Sequence, residues 1–180
     1  MTLTLITTAL LLLIAGILIY NRLVRNRNLT DEAWAGIDVQ LQKRFELVPN
    51  LVQTVKGYAA HEADVFEEEA KLRNTEQVRV DDRAKQETAL SRSLGRLFAV
   101  AEGYPELMAS EGFRQLHSSL VEIEDYLQFA RRYYNGAVRN NNNLVESFPS
   151  NLMARFFKFS QAEFFEIELV SQRSAPDVDL

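Results

Sequence analysis

A chain of 180 residues is long enough for one ordinary domain plus an appendage, and its 47% hydrophobic content suits a chain that buries a core. A formal net charge of −5, with twenty basic residues interleaved among twenty-five acidic ones, argues against the clustered cations that a nucleic-acid binder needs. The lack of cysteine excludes disulfides, thiolate metal sites, a cysteine nucleophile and acylated cysteine, so any membrane attachment must rest on apolar side chains.

Met1 to Asn21 carry no charged side chain, and Leu3 to Tyr20 read LTLITTALLLLIAGILIY, about the length that crosses a bilayer core as helix. A buried core helix would show a polar face; this stretch offers only threonine hydroxyls, which can bond back to the preceding turn. A cleaved signal peptide is the competing reading, but no Lys or Arg precedes the apolar run. Arg22, Arg25 and Arg27 follow it, with no acid before Asp31. By the positive-inside rule these arginines place the domain in the cytoplasm and the short N-terminus outside. Tyr20 at the boundary suits an interfacial belt.

Thr30 is a candidate N-cap, with Asp31 and Glu32 in the first turn of the next helix. The series Trp34, Ile37, Leu41, Phe45, Val48, Val52, Val55, Ala59 then steps by threes and fours, a helical seam. Continued to about Lys71 it would be a rod roughly 60 Å long at 1.5 Å per residue. Pro49 inside it predicts a kink near Phe45 to Val48 or a break into two helices. Polar Asn74 to Asp82 read as a connection. A second helix has its seam at Leu90, Leu94, Leu97 or Phe98, and Ala101, and stops at Gly103 before Pro105. A third starts near Ser110 and carries Phe113, Leu116, Leu120, Ile123, Leu127, Ala130, Tyr134, Val138 and Val145, ending before Phe148-Pro149. Three such stripes bury one another side by side. The expected fold is therefore all-α: a transmembrane helix followed by an elongated antiparallel up-and-down bundle.

In the tail, Ser150 or Asn151 can cap a short helix leading into Phe156, Phe157, Phe159, Phe164 and Phe165. These five either fold back to close the bundle or form an exposed docking patch for a partner or the membrane surface. Asn135 and Asn142, one heptad apart, are candidate register-fixing polar residues, with partner binding as the minority reading. Ser171 to Leu180, polar with one proline, read as disordered.

Motifs for chemistry fail when tested. His61-Glu62 lacks the second histidine of a zinc-protease helix, since residue 65 is Val. Neither His61 nor His117 has a Glu three residues before it, as a di-iron bundle would require. Glu67, Glu68 and Glu69 point in different directions on a helix and cannot converge on one ion. No glycine pair has nucleotide-loop spacing, and no G-x-S-x-G elbow exists. No catalytic residue, cofactor or metal is expected.

The run YNRLVRNRNLTDEAWAGIDVQLQKRFELVPNLVQTVKGYAAHE, from Tyr20 to Glu62, resembles the signature of the LemA family. So do EGYPEL at Glu102 to Leu107, RRYYNGAV at Arg131 to Val138, ESFPSNLMARFF at Glu146 to Phe157 and FFEIE at Phe164 to Glu168. The resemblance covers nearly everything from the anchor to residue 168. It implies an N-terminal transmembrane helix and a long up-and-down bundle, and it brings no catalytic residues with it. The expected division is an anchor over 1–21, a basic juxtamembrane segment over 22–30, a bundle over 31–168 and a disordered tail over 169–180. The expected role is a scaffold or self-assembling protein of the bacterial cell membrane, in contact with the bilayer and with further copies of itself. The alternative is an adaptor that docks a membrane protease or an envelope-stress protein through its bundle or its Phe-rich tail.

Overall fold

A computed structural model of the chain describes residues 1–59 and 80–166. Among these, five helices and no strand occur: α1 Thr2–Lys56, α2 Val80–Glu102, α3 Pro105–Ala109, α4 Glu111–Glu146 and α5 Ser150–Phe156. The fold is all-α, as the periodicities predict. The described residues divide into two compact units, one of residues 1–38 with 128–164 and the other of residues 39–59 and 80–127 with 165–166.

α1 differs from its expected form in two ways. It has no break near residue 30: Thr30 lies inside the helix, buried, and its hydroxyl donates to the Asn26 carbonyl at 3.0 Å. The physical reason is the seam. Leu23, Thr30, Ile37, Arg44 and Leu51 are all buried and seven residues apart, so packing continues upstream of the apparent cap. Secondly, α1 ends at Lys56, where Gly57 opens a turn in which Tyr58 N donates to the Val55 carbonyl at 3.0 Å. The expected continuation to Lys71, the connection up to residue 79, His61 and the Glu67–Glu69 run lie outside the described residues, as does Ser171–Leu180. The helix carries through Pro49. A proline in a helix interior costs about 3 kcal/mol, and the buried Val48 and Leu51 on either side supply packing to offset it.

In the unit of residues 1–38 and 128–164, α1 and α4 run antiparallel. Trp34 meets Tyr134 with ring centroids 5.4 Å apart, while Arg22 and Asn26 face Asn140 and Asn143 across a shared groove. The threonines of the apolar segment bond back as expected, Thr7 and Thr8 both donating to the Thr4 carbonyl at 2.9 and 2.8 Å.

In the other unit the core joins Val48, Leu51, Val55 and Ala59 of the α1 end to Leu90, Leu94, Leu97 and Ala101 of α2, with Leu107, Phe113 and Leu120. Each predicted α2 seam position is buried. On α4, Phe113, Leu120, Ile123, Leu127, Tyr134 and Val138 are buried, with Leu116, Ala130 and Val145 half-buried, so the predicted stripe is the inward face. α4 runs against α2: Phe98 meets His117 at 4.9 Å, and Arg44 bridges Glu87 to Glu124. Ser110 caps α4, accepting from Phe113 N at 3.3 Å. The short α3 lies between Gly103 and Ser110; it has too few residues to leave a periodic trace in the sequence.

Candidate interaction site

The C-terminal part of α4 carries a polar clamp. Asn142 takes both backbone groups of one tail residue: its Nδ2 donates to the Ala162 carbonyl at 3.0 Å, and its Oδ1 accepts from Ala162 N at 2.8 Å. A side-chain amide thus imitates one rung of a β-ladder. Asn141, buried, donates to the Ser160 carbonyl at 3.4 Å and to Asn142 Oδ1 at 3.2 Å. Two turns earlier the Tyr134 hydroxyl donates to the Glu163 carbonyl at 2.8 Å. Burial, then the charges of Glu163 and Asp31, push the Tyr134 phenol up from 10.0 to about 12. The three side chains lie on the α4 face that also buries Val138, so the tail returns along the bundle in a fixed register.

The turn that brings the tail back is local. After α5, Lys158 adopts φ 58°, Phe157 N donates to Met153 O at 2.9 Å, and Phe159 N donates to Ala154 O at 2.9 Å. This six-to-one bond with a left-handed residue closes the helix and reverses the chain. It sets the tail beside the apolar N-terminal segment: the Tyr20 ring lies 4.8 Å from Phe157 and 5.8 Å from Phe159, both edge-on. The Arg27 guanidinium sits 5.4 Å over the Phe159 ring.

The structure brings together only part of the predicted set. Phe159 and Arg27 meet; Arg25 is exposed; Arg22 lines a groove of about 550 Å³ with Asn26, Asn140, Asn143, Ser147 and Phe148. Of the five phenylalanines, Phe165 is buried and Phe159 half-buried, whereas Phe156 is 79% exposed, Phe157 47% and Phe164 39%. Asn135 is half-buried on α4. Sequence reading missed Asn141 and Tyr134 as tail ligands. The run of four asparagines from Asn140 to Asn143 was the available signal.

It also missed a buried ion cluster in the other unit. Arg44 of α1 pairs with Glu87 of α2 and, at 2.9 Å, with Glu124 of α4; Arg44 and Glu87 are both almost fully buried. Its trace was present: Arg44 stands one heptad from both Ile37 and Leu51, and Glu87 one heptad before Leu94, so each charge occupies a seam position. His117 lies between the Phe98 and Phe113 rings at 4.9 and 6.4 Å. No group of three His, Cys, Asp or Glu among the described residues is placed to hold a metal ion.

A family model described as LemA family matches residues 33–180. The chain belongs to the LemA family. It is also similar to two magnetosome proteins of Paramagnetospirillum magneticum, MamQ 1 and MamQ 2. Each is 27% identical over 176 residues, covering 82% of this chain and 64% of the relative. The MamQ magnetosome protein of Magnetospirillum gryphiswaldense is 23% identical over 175 residues, covering 81% of this chain and 64% of the relative. The match therefore spans just under two thirds of these relatives' length. The family model begins at residue 33, so the LemA-family region includes most of the seam, the clamp and the tail.

Proposed function

We propose that this LemA-family chain is a single-pass protein of the bacterial cell membrane whose helical domain is a scaffold, working by assembly with further copies of itself and not by catalysis. The observation that carries the reading is α1. Its N-terminal window is apolar enough to cross a bilayer and has none of its residues buried, yet the same helix continues into the buried seam. A soluble fold has no reason to hold Leu10 to Leu13 more than half exposed. The three arginines after it favour a cytoplasmic domain with the short N-terminus outside.

Assembly is supported by the outward face of α4. Phe129 and Tyr133 are 64% and 59% exposed, four residues apart, with the Arg132 guanidinium 4.6 Å over the Phe129 ring. Aromatic residues with arginine are the composition enriched at protein interfaces. The test is chemical cross-linking of the intact protein in membranes, wild type against F129E/Y133E. Ladders of this chain that vanish in the variant, with the helical content kept, support self-assembly; ladders unchanged in the variant remove this face as their basis.

The adaptor reading draws on the exposed Phe156 and Phe157. Deleting residues 156–168 separates it from the scaffold. A folded variant that loses one stoichiometric foreign chain favours an adaptor for a membrane protease or an envelope-stress protein.

A further inference from the structure

α5 is built inside out. Its buried residues are the small Ser150 and Ala154, one helical step of four apart, while Leu152 and Phe156, four apart on another face, are 60% and 79% exposed. Phe148, a further four residues back, is 79% exposed, and Phe157 is 47% exposed. An amphipathic helix in water turns its large apolar residues inward; here Leu152 and Phe156 turn outward, and only Met153 of the large apolar residues of α5 is half-buried.

What lies beside this face identifies its solvent. A Cβ placed on Gly16 would touch the Met153 methyl at 3.8 Å, and Leu13, Gly16, Ile17, Tyr20, Met153 and Phe157 line one apolar groove. The second half of α5 therefore packs against the last two turns of the apolar segment, whereas its first residue, Ser150, lines the groove of Arg22 and Asn26 together with Phe148. Gly16 precedes Arg22 by six residues, which is about 9 Å along a helix rising 1.5 Å per residue. That depth falls within the roughly 5–10 Å to which interfacial helices sink their apolar faces. Arg155 and Lys158, both exposed, flank the apolar face and can extend to phosphates from that depth.

We infer that Leu152 and Phe156, with the exposed side of Phe157, insert into the acyl-headgroup boundary of the bilayer leaflet on the domain's side, making α5 a second, monotopic membrane contact. The inference rests on the reading that the N-terminal part of α1 spans the bilayer. It divides the phenylalanine cluster: Phe159 and Phe165 serve the protein, Phe156 serves lipid, and Phe157 joins the two, with one edge on Tyr20 and the other exposed. Through the Phe159 turn and the Asn142 clamp, the inserted helix is tied to the C-terminal part of α4.

The chain has no cysteine, so single-thiol variants of the full-length protein report one position each. F156C, L152C, L11C and V121C are labelled with an environment-sensitive fluorophore. Each is reconstituted in phosphatidylcholine vesicles containing phosphatidylglycerol, with spin-labelled lipids as quenchers at shallow and deep positions. F156C and L152C are expected to be quenched by shallow labels, L11C by deep ones, and V121C by neither. Quenching of L11C with F156C and L152C in water overturns the insertion and leaves the span intact. Absence of deep quenching at L11C removes the span and the inference with it. Apolar emission at F156C without lipid quenching assigns the face to a protein and overturns the inference.

Discussion

Replacing Asn142 by alanine tests whether the tail is held as the structure shows. The side chain makes two hydrogen bonds to the backbone of Ala162, at 3.0 and 2.8 Å, and its Oδ1 also accepts from Asn141. A net hydrogen bond contributes about 0.5–1.5 kcal/mol, and leaving partners unsatisfied adds to the loss. The site is half-buried, so water takes up part of the deficit, and the expected cost of N142A is roughly 1–3 kcal/mol. The effect should concentrate on the tail, because the α4 seam itself is untouched. Hydrogen exchange at the Ala162 amide should accelerate in step with that loss, while amides near Leu127 keep their protection. N142D retains the acceptor but not the donor and should fall between wild type and N142A. Unchanged protection at Ala162 in N142A would refute the clamp. A rise in thermal stability in N142L would show instead that Asn142 only sets helix register.

Three further outcomes are expected. R44M removes the cation that bridges the buried Glu87 to Glu124, and breaking that buried pair from one side costs about 3–5 kcal/mol in denaturant unfolding; R44M/E87L should recover most of it. Tyr134 has its folded pKa raised from 10.0 to about 12, so its contribution to stability is complete below pH 10 and is lost as pH climbs towards 12; Y134F should abolish that alkaline slope in pH-dependent unfolding and lose about 1 kcal/mol through its missing bond to Glu163. R22Q/R25Q/R27Q removes the charge asymmetry, and protease protection of residues from Trp34 onward should shift from one membrane face to a mixture of both.

Much of the fold was legible because burial in long helices repeats. Trp34 and Phe45 flank a seam whose centre is Ile37, Leu41, Val48 and Val55, and on α4 every predicted stripe residue faces inward wholly or partly. Local signals misled where tertiary packing overrode them. Thr30-Asp31-Glu32 has the composition of a helix start, but Leu23 is fully buried upstream, and the hydroxyl turned to its own helix. α1 ends at Lys56, before Gly57, an end that the apolar series through Ala59 conceals. The tail clamp was nearly invisible. A side-chain amide bonding a backbone twenty residues away leaves no periodicity, and only the asparagine run hinted at it. The inside-out α5 could not be read either, because Phe156 and Phe165 look alike until burial distinguishes 79% from 2%.

The central claim, a membrane-anchored scaffold that assembles with itself, is tested most directly by the native mass of the intact protein extracted in mild detergent, with every co-purifying chain identified. The account predicts a discrete mass that is a multiple of the 20.6 kDa chain, with no stoichiometric foreign protein. A monomer, or a one-to-one complex with another membrane protein, would contradict it.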